Sequence, residues 1–316
     1  MELIGIHHLT AISARIRDNL NFYTEVMGMR LVKRSVNQDD VSAYHLFYAD
    51  AVGTPGTDLT FFDWPVPPER RGTGSIVGTG LRVGSLNSLD WWARRLEAEE
   101  LDVGTPGERD GRAVLDFQDP EGQRLFLVVD DGQGDDPVTW AESPVPAIHQ
   151  LRGLGPVILS VPRLEPTHQA LTRILGMRPV RDYGHQDERS QVHVYEMGGQ
   201  GAHAELHVAV QPHLPPARPG AAGVHHVAFR TPDEEEYEGW AQRLNQMGVP
   251  NSGPVDRYYF KSLYFREPGG ILFEIATDGP GFAVDEDEAS LGESVVLPPF
   301  LEPQREEIVA GLKPLD

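Results

Sequence analysis

The sequence has 316 residues, 40% hydrophobic and 24% charged, enough for two domains of roughly 150 residues with a core each. A formal net charge of -21 argues against nucleic acid and anionic membranes as partners, because both need a basic surface. With no cysteine, disulfides and thiolate metal sites are excluded, so any metal must be held by His, Asp or Glu.

Lysine stands only at positions 33, 261 and 313, so arginine carries nearly all the positive charge. The opening Met1-Glu2-Leu3-Ile4-Gly5 shows no basic segment followed by an apolar run. No stretch approaches the roughly 18 apolar residues of a membrane span. The expectation is a cytoplasmic protein with neither membrane nor nucleic-acid partner; the oligomeric state is left open, a homo-oligomer included.

Taken in chain order, Ile4–Ile12 reads as a strand and Asp18–Met27 as an amphipathic helix, with Leu20, Phe22, Tyr23, Val26 and Met27 on its apolar side. Gly28 ends that helix at the position glycine favours. Strands follow at Arg30–Ser35, Tyr44–Tyr48 and Asp58–Phe62, the last two separated by a Gly/Pro-rich turn. The order then repeats: strand Gly78–Val83, helix Ser88–Glu99, strands Ala113–Phe117 and Arg124–Val129. Further copies start near Val157–Val161 and Val224–Thr231. The tail beyond Gly279 carries an acidic run, Asp285–Glu288, that reads as a solvated face, and a short helix near Glu302–Leu312.

A shift of 148 residues superposes the chain on itself without a gap. Gly28-Met29-Arg30 meets Gly176-Met177-Arg178, His45 meets His193, and Arg82 meets Arg230. Trp92-Ala93-x-Arg95-Leu96 meets Trp240-Ala241-x-Arg243-Leu244, and Asp130 meets Asp278. The chain therefore reads as two duplicated halves, 1–148 and 149–296, with a tail at 297–316. Each half holds two βαβββ modules of about seventy residues. The fold class is α+β, with paired modules forming curved half-barrel sheets. Trp92 and Trp240 read as helical core. His45 and His193 suggest a shared structural hydrogen bond, with His45 also a candidate acid/base group.

Candidate chemistry is spread unevenly over the repeats. The first strands of modules one and four carry His7-His8 and His225-His226; in a regular strand only one of each pair faces the concave interior. Glu274 is an acid in the otherwise apolar run Ile271–Ala276, which is costly unless the charge is paired or bound to metal. At the equivalent places stand Pro156 for His8, Gly78 for His226 and Phe126 for Glu274. His8, His226 and Glu274 thus imply that modules one and four pack around one metal, with modules two and three a metal-free partner. Two imidazoles and one carboxylate leave positions open, as in non-heme Fe(II) oxygenases; Mn(II) suits the same donors. A structural zinc site would need a fourth ligand, for which strand four of module one, near Phe61 and Phe62 with Asp63 beside them, is the place to look. Tyr264, brought beside Glu274 by the turn Arg266–Gly270, is placed to hydrogen-bond a metal-bound group. Arg257 offers a fixed positive charge for an anionic substrate.

These modules resemble the vicinal oxygen chelate superfamily of glyoxalases, extradiol dioxygenases and antibiotic-binding proteins. The strings Gly5-Ile6-His7-His8-Leu9-Thr10, Gly28-Met29-Arg30-Leu31-Val32-Lys33, Tyr44-His45-Leu46-Phe47-Tyr48 and Tyr264-Phe265-Arg266-Glu267-Pro268-Gly269-Gly270-Ile271-Leu272-Phe273-Glu274 are similar to those of hydroquinone-type ring-cleaving dioxygenases. The resemblance implies Fe(II)-dependent opening of a para-diol ring by O2, a small aromatic diol as substrate, and His8, His226 and Glu274 as ligands. It also implies that His7, Thr10, His225, Arg257 and Tyr264 line the active site. Asp63, where the family pattern has proline, and the stretch Gln38-Asp39-Asp40 depart from that pattern. Alternatives are a catechol-type extradiol dioxygenase, a glyoxalase-like isomerase using a fourth ligand such as Asp63, and a drug-sequestering protein.

Overall fold

The structure, a computed structural model, describes residues 1–315. Each of the four modules is one strand, one helix and three strands. Module one comprises β1 (Ile6–Ser13), α1 (Ile16–Asn21), β2 (Arg30–Asn37), β3 (Asp40–Ala49) and β4 (Asp58–Asp63). Module two comprises β5 (Ser75–Val83), α2 (Leu86–Ala98), β6 (Gly107–Arg109), β7 (Arg112–Gln118) and β8 (Arg124–Val129). Module three follows with β9 (Leu154–Val161), α3 (Leu164–Gln169), β10 (Arg178–Gly184), β11 (Gln191–Glu196) and β12 (Glu205–Val210). Module four has β13 (Val224–Thr231), α4 (Glu234–Gln246), β14 (Val255–Asp256), β15 (Phe260–Arg266) and β16 (Leu272–Pro280), before the tail helix α5 (Arg305–Gly311).

Two eight-stranded sheets result, ordered β14-β15-β16-β13-β1-β4-β3-β2 and β10-β11-β12-β9-β5-β8-β7-β6. Each takes one module from either half of the chain. Modules one and four join through the antiparallel pair β1/β13, and modules two and three through β5/β9. The expected pairing of the outer modules is therefore the observed one.

The residues repeated in the sequence do repeated work. Ser85 and Asp233 cap α2 and α4 by accepting from the backbone N–H of Ser88 and Glu236. Trp92 and Trp240, 0% and 2% exposed, anchor those helices in the core, each burial contributing on the order of 2–3 kcal/mol. Arg95 donates from Nε to the Val26 carbonyl and Arg243 from Nε to that of Ile174. Each arginine thus satisfies carbonyls left over at the end of the preceding module's helix. Arg82–Asp130 and Arg230–Asp278 are equivalent ion pairs. The first helices differ from expectation: α1 and α3 each pass into a π turn, Phe22–Val26 and Ala170–Ile174. Gly28 and Gly176 then stop them at φ +68° and +71°.

The acidic run of the tail is not simply a solvated face. Lys33 in β2 is fully buried, and its Nζ meets the Phe282 carbonyl at 2.9 Å, Asp285 Oδ1 at 2.7 Å and the Glu286 carboxylate. An ammonium with no access to water needs such partners, so Asp285 and Glu286 strap the tail to sheet one.

Candidate metal centre

β1 and β13 run antiparallel, so their histidine pairs meet near a local two-fold axis. The register slips between Ile6 and His8 and again between Thr10 and Ala11, so that His7 and His225 are each the extra residue of a β-bulge. A bulge breaks strict alternation and re-aims side chains. As expected, one histidine of each pair, His8 and His226, lines the cavity, while the bulge folds its neighbour against it. His7 Nδ1 lies 2.9 Å from His8 Nδ1, and His225 Nδ1 lies 2.8 Å from His226 Nδ1.

These contacts fix proton positions. Burial pushes the His7 imidazole down to about 3, with His8 adding to the effect; burial and His226 do the same for His225. Both rings are therefore neutral. His7 Nε2 is 3.0 Å from the Thr277 carbonyl, which can only accept, so the proton sits on Nε2 and Nδ1 is a lone pair. His8 must therefore donate from Nδ1, and its Nε2 faces inward. His226 is likewise kept neutral by burial.

Inward, three atoms converge. His8 Nε2 and His226 Nε2 are 3.4 Å apart, and Glu274 Oε2 is 3.2 Å from the first and 2.9 Å from the second. Burial works to raise Glu274, and positive charge beside it, on the facing His8 and His226 or on a cation between them, pulls the carboxyl well below its usual range. Oε2 is buried and, despite those separations, accepts no hydrogen bond. Three electron-pair donors packed this closely fit a cation between them. Ligands at right angles on bonds of about 2.1 Å stand about 3 Å apart, which is the spacing found here. Glu274 Oε1 is held by Ser262 Oγ at 2.5 Å. Sequence reasoning missed Ser262; its signal is a polar residue between inward-facing Phe260 and Tyr264 in β15.

The position expected for a fourth ligand is not where it was sought. Strand register pairs Ala228 with Glu274 and Thr10 with Thr60, so Thr60 is module one's equivalent of Glu274. Asp63 is turned away and ion-paired to Lys313 Nζ at 2.6 Å. Thr60 Oγ1 instead bonds Thr10 Oγ1 at 2.8 Å and faces His45 Nε2 at 3.0 Å. His45 thus reaches the cavity, whereas His193 pairs with Asp182, so the two share no common hydrogen bond.

The cavity above the three donors measures about 40 Å³ and is walled by Phe47, Phe62, Tyr259, Phe260 and Tyr264. The β2–β3 turn lies over its mouth. Asp39 Oδ2 bonds Arg257 Nη2 at 2.8 Å, and Gln38 Nε2 bonds the Arg257 carbonyl at 2.8 Å. Arg257 is therefore no free cation; its Nε also approaches the Tyr264 hydroxyl at 3.3 Å. Tyr264 lies opposite Glu274 in register, its ring centroid 5.8 Å from that of His226. His225 stacks edge-on against Phe62 and Trp64, behind His226.

Residues 5–127 and 153–275 each match the Glyoxalase/Bleomycin resistance protein/Dioxygenase superfamily, in the same register as the internal repeat. The chain belongs to that superfamily. Among superfamily relatives, a Bacillus subtilis (strain 168) protein named "putative ring-cleaving dioxygenase MhqA" is 48% identical over 100% of both chains. A chlorohydroquinone/hydroquinone 1,2-dioxygenase of Sphingobium indicum is 29% identical over 96% of this chain and 94% of its own. The crystal structure of a B. subtilis protein described as a "putative dioxygenase" superposes with a TM-score of 0.91 at 35% identity, covering 100% of this chain and 98% of that one. Among the described residues no helix is long and apolar enough to cross a membrane.

A second cluster of metal-ligand types in this superfamily chain, Asp110, Glu205 and His207, lies in the other sheet. Its carboxylates are already compensated. Arg112 binds both oxygens of Glu205 at 2.6 and 2.8 Å, and Arg181 bridges Asp110 and Glu205. Two guanidiniums occupy the place a cation would take, which sets this cluster apart from the bare donors of sheet one.

Proposed function

We propose that the protein is a metal-dependent ring-cleaving dioxygenase that opens a hydroquinone-type ring with O2, with Fe(II) held by His8, His226 and Glu274. The observation that carries this reading is the convergence of the buried Glu274 Oε2 on His8 Nε2 and His226 Nε2, 3.2 and 2.9 Å away. The names of the relatives support the same reaction class. Bound Fe(II) would supply Lewis acidity toward a phenolic hydroxyl and open positions for substrate and O2; Mn(II) suits the same donors.

The chain's own residues do the rest. His7 and His225 fix the orientation and tautomer of the two ligand imidazoles, and Ser262 fixes the carboxylate. Phe47, Phe62 and Phe260 exclude water and pack the ring of the substrate. Burial pushes His45 well below its ordinary value and so keeps it neutral at the cavity wall. Thr60 and Thr10 extend a hydrogen-bonded chain from it along the wall. Arg257 and Tyr264 present a cation and a protonated phenol to substrate oxygens; burial pushes the Tyr264 hydroxyl well above its ordinary value. A cavity of about 40 Å³ has room for roughly three waters, less than a ring diol needs. Substrate therefore enters by displacing the Asp39–Arg257 latch. An isomerase using a fourth carboxylate is disfavoured, since Thr60 holds that position and Asp63 is spent on Lys313.

The test is O2 uptake by the anaerobically Fe(II)-loaded chain given hydroquinone, methylhydroquinone, a chlorohydroquinone and catechol in turn. One O2 per para-diol is expected, and His226→Ala should lose metal and turnover together. Uptake with catechol alone would move the enzyme to the ortho-diol branch. No uptake with one metal bound per chain would overturn the dioxygenase reading.

A further inference from the structure

Sheet two carries a cavity at the place equivalent to the metal centre. It is far larger, about 630 Å³ against about 40 Å³, within the range of small-molecule sites. The repeat explains why. Where sheet one has His226, Glu274 and Thr10, sheet two has Gly78, Phe126 and Ile158, so the floor that held metal donors is apolar. Arg109 stands where Arg257 stands, and Gln186 where Gln38 stands. The contacts over this side differ: Arg109 binds both oxygens of Asp116 within its own hairpin, at 2.6 and 2.8 Å, and Gln186 of the facing turn donates to Asp116 Oδ2 at 3.1 Å, yet the cavity beneath them keeps its volume.

The wall holds a buried chain of hydrogen bonds with a fixed direction. Burial alone would raise Glu205, but bonds from Arg112 and His207 hold it well below the usual carboxylate range. Glu205 can therefore only accept, and His207 Nε2 donates to its Oε2 at 3.0 Å. His207 is neutral, lowered by burial, so its Nδ1 is a lone pair and the Tyr183 hydroxyl donates to it at 2.9 Å. The Tyr183 oxygen, its proton spent inward, presents an acceptor at the cavity wall. Arg109 holds its guanidinium 4.8 Å from the Phe126 ring centroid and presents donors.

We propose that this second cavity is a metal-independent binding site for a hydroxylated single-ring aromatic. The flat apolar floor takes the ring, the Tyr183 oxygen accepts from its hydroxyl, and Arg109 donates to an oxygen. A phenolic hydroxyl serves both partners, being donor and acceptor at once. The cluster's carboxylates are spent on arginines, so the site takes an organic ligand rather than an ion. The inference goes beyond the dioxygenase reading and does not depend on any turnover at the first site.

The experiment is anaerobic calorimetric titration of hydroquinone into the metal-free full-length His226→Ala chain. One site per chain is expected, with cyclohexane-1,4-diol failing to bind. Tyr183→Phe should weaken binding about fivefold, the worth of one net hydrogen bond, and Val77→Trp, at a lining residue beside Gly78, should abolish it by filling the cavity. Should Val77→Trp fail to fold by circular dichroism, Tyr183→Phe and Arg109→Ala decide the question. No binding to the His226→Ala chain, or binding untouched by every second-cavity substitution, would overturn the proposal. Because the readout is binding without metal, its failure is distinguishable from a failure of O2 uptake.

Discussion

Ser262→Ala removes one hydroxyl and leaves the metal donors in place. Ser262 is fully buried, and its Oγ is the hydrogen-bond partner of Glu274 Oε1, at 2.5 Å. A bond to a buried charged oxygen contributes about 1.5–3 kcal/mol, and losing it frees the carboxylate to rotate away from His8 and His226. Loss of such a supporting contact typically weakens metal binding about 10–100-fold, or roughly 1.4–2.7 kcal/mol. Anaerobic Fe(II) or Mn(II) titration reads the affinity directly. Thermal melts with and without metal give a second reading: at metal a thousandfold above Kd the stabilisation is about 4 kcal/mol, and a hundredfold loss of affinity cuts it to about 1.4 kcal/mol. Ser262→Thr, which keeps the hydroxyl, should restore most of the affinity. If Ser262→Ala lowers Tm yet leaves metal affinity unchanged, the hydroxyl merely packs the strand and the reasoning about Glu274 is wrong.

Three further outcomes are expected. Lys33→Met should cost about 3–5 kcal/mol in denaturant unfolding, because it strands Asp285 and Glu286 against each other beneath the tail; a loss under about 1 kcal/mol would return the acidic run to a solvated face. Asp39→Ala should alter stability by less than about 1 kcal/mol, since that side chain is 73% exposed, while speeding ligand entry in stopped-flow binding. Unchanged entry rates would show that the turn is not the gate. Stability should also fall on the acid side in two stages. His207 is buried neutral, its folded pKa below the ordinary 6.5, so its contribution is present above that value and drains as pH falls below it; ionised Glu205 adds a second loss below about 4.5. Urea midpoints at pH 7.5, 5.5 and 4 check this, and a flat profile in the wild-type chain would contradict the buried Tyr183–His207–Glu205 chain.

Much of this molecule was legible in order of residues. Periodicity placed the elements of module one and most of module two to within a few positions, because alternating and 3.6-residue patterns follow directly from which face is buried, but it missed the short strands β6 and β14. The 148-residue repeat revealed the modules, and its mismatches, His8 against Pro156 and Glu274 against Phe126, pointed to one asymmetric site. Other features depended on contacts between residues far apart in the chain. Bulges at His7 and His225 arise from the pairing of β1 with β13, more than two hundred residues away, and no local rule places an extra residue there. Asp63 was a plausible ligand until strand register put Thr60 in that place and Lys313 against the carboxylate.

The acidic tail shows the same division. Asp285 and Glu286 look like solvated charge in sequence, because sequence does not reveal that Lys33 has been taken out of water opposite them. The two cavities are its clearest case. Sequence alone determined which sheet carries the candidate donors His8, His226 and Glu274 and which carries Gly78, Phe126 and Ile158 at equivalent places, since donor chemistry belongs to residue type. Only the tertiary structure decided that the first narrows to about 40 Å³ beneath the Asp39–Arg257 pair while the second keeps about 630 Å³, since volume depends on which side chains distant turns and strands bring together.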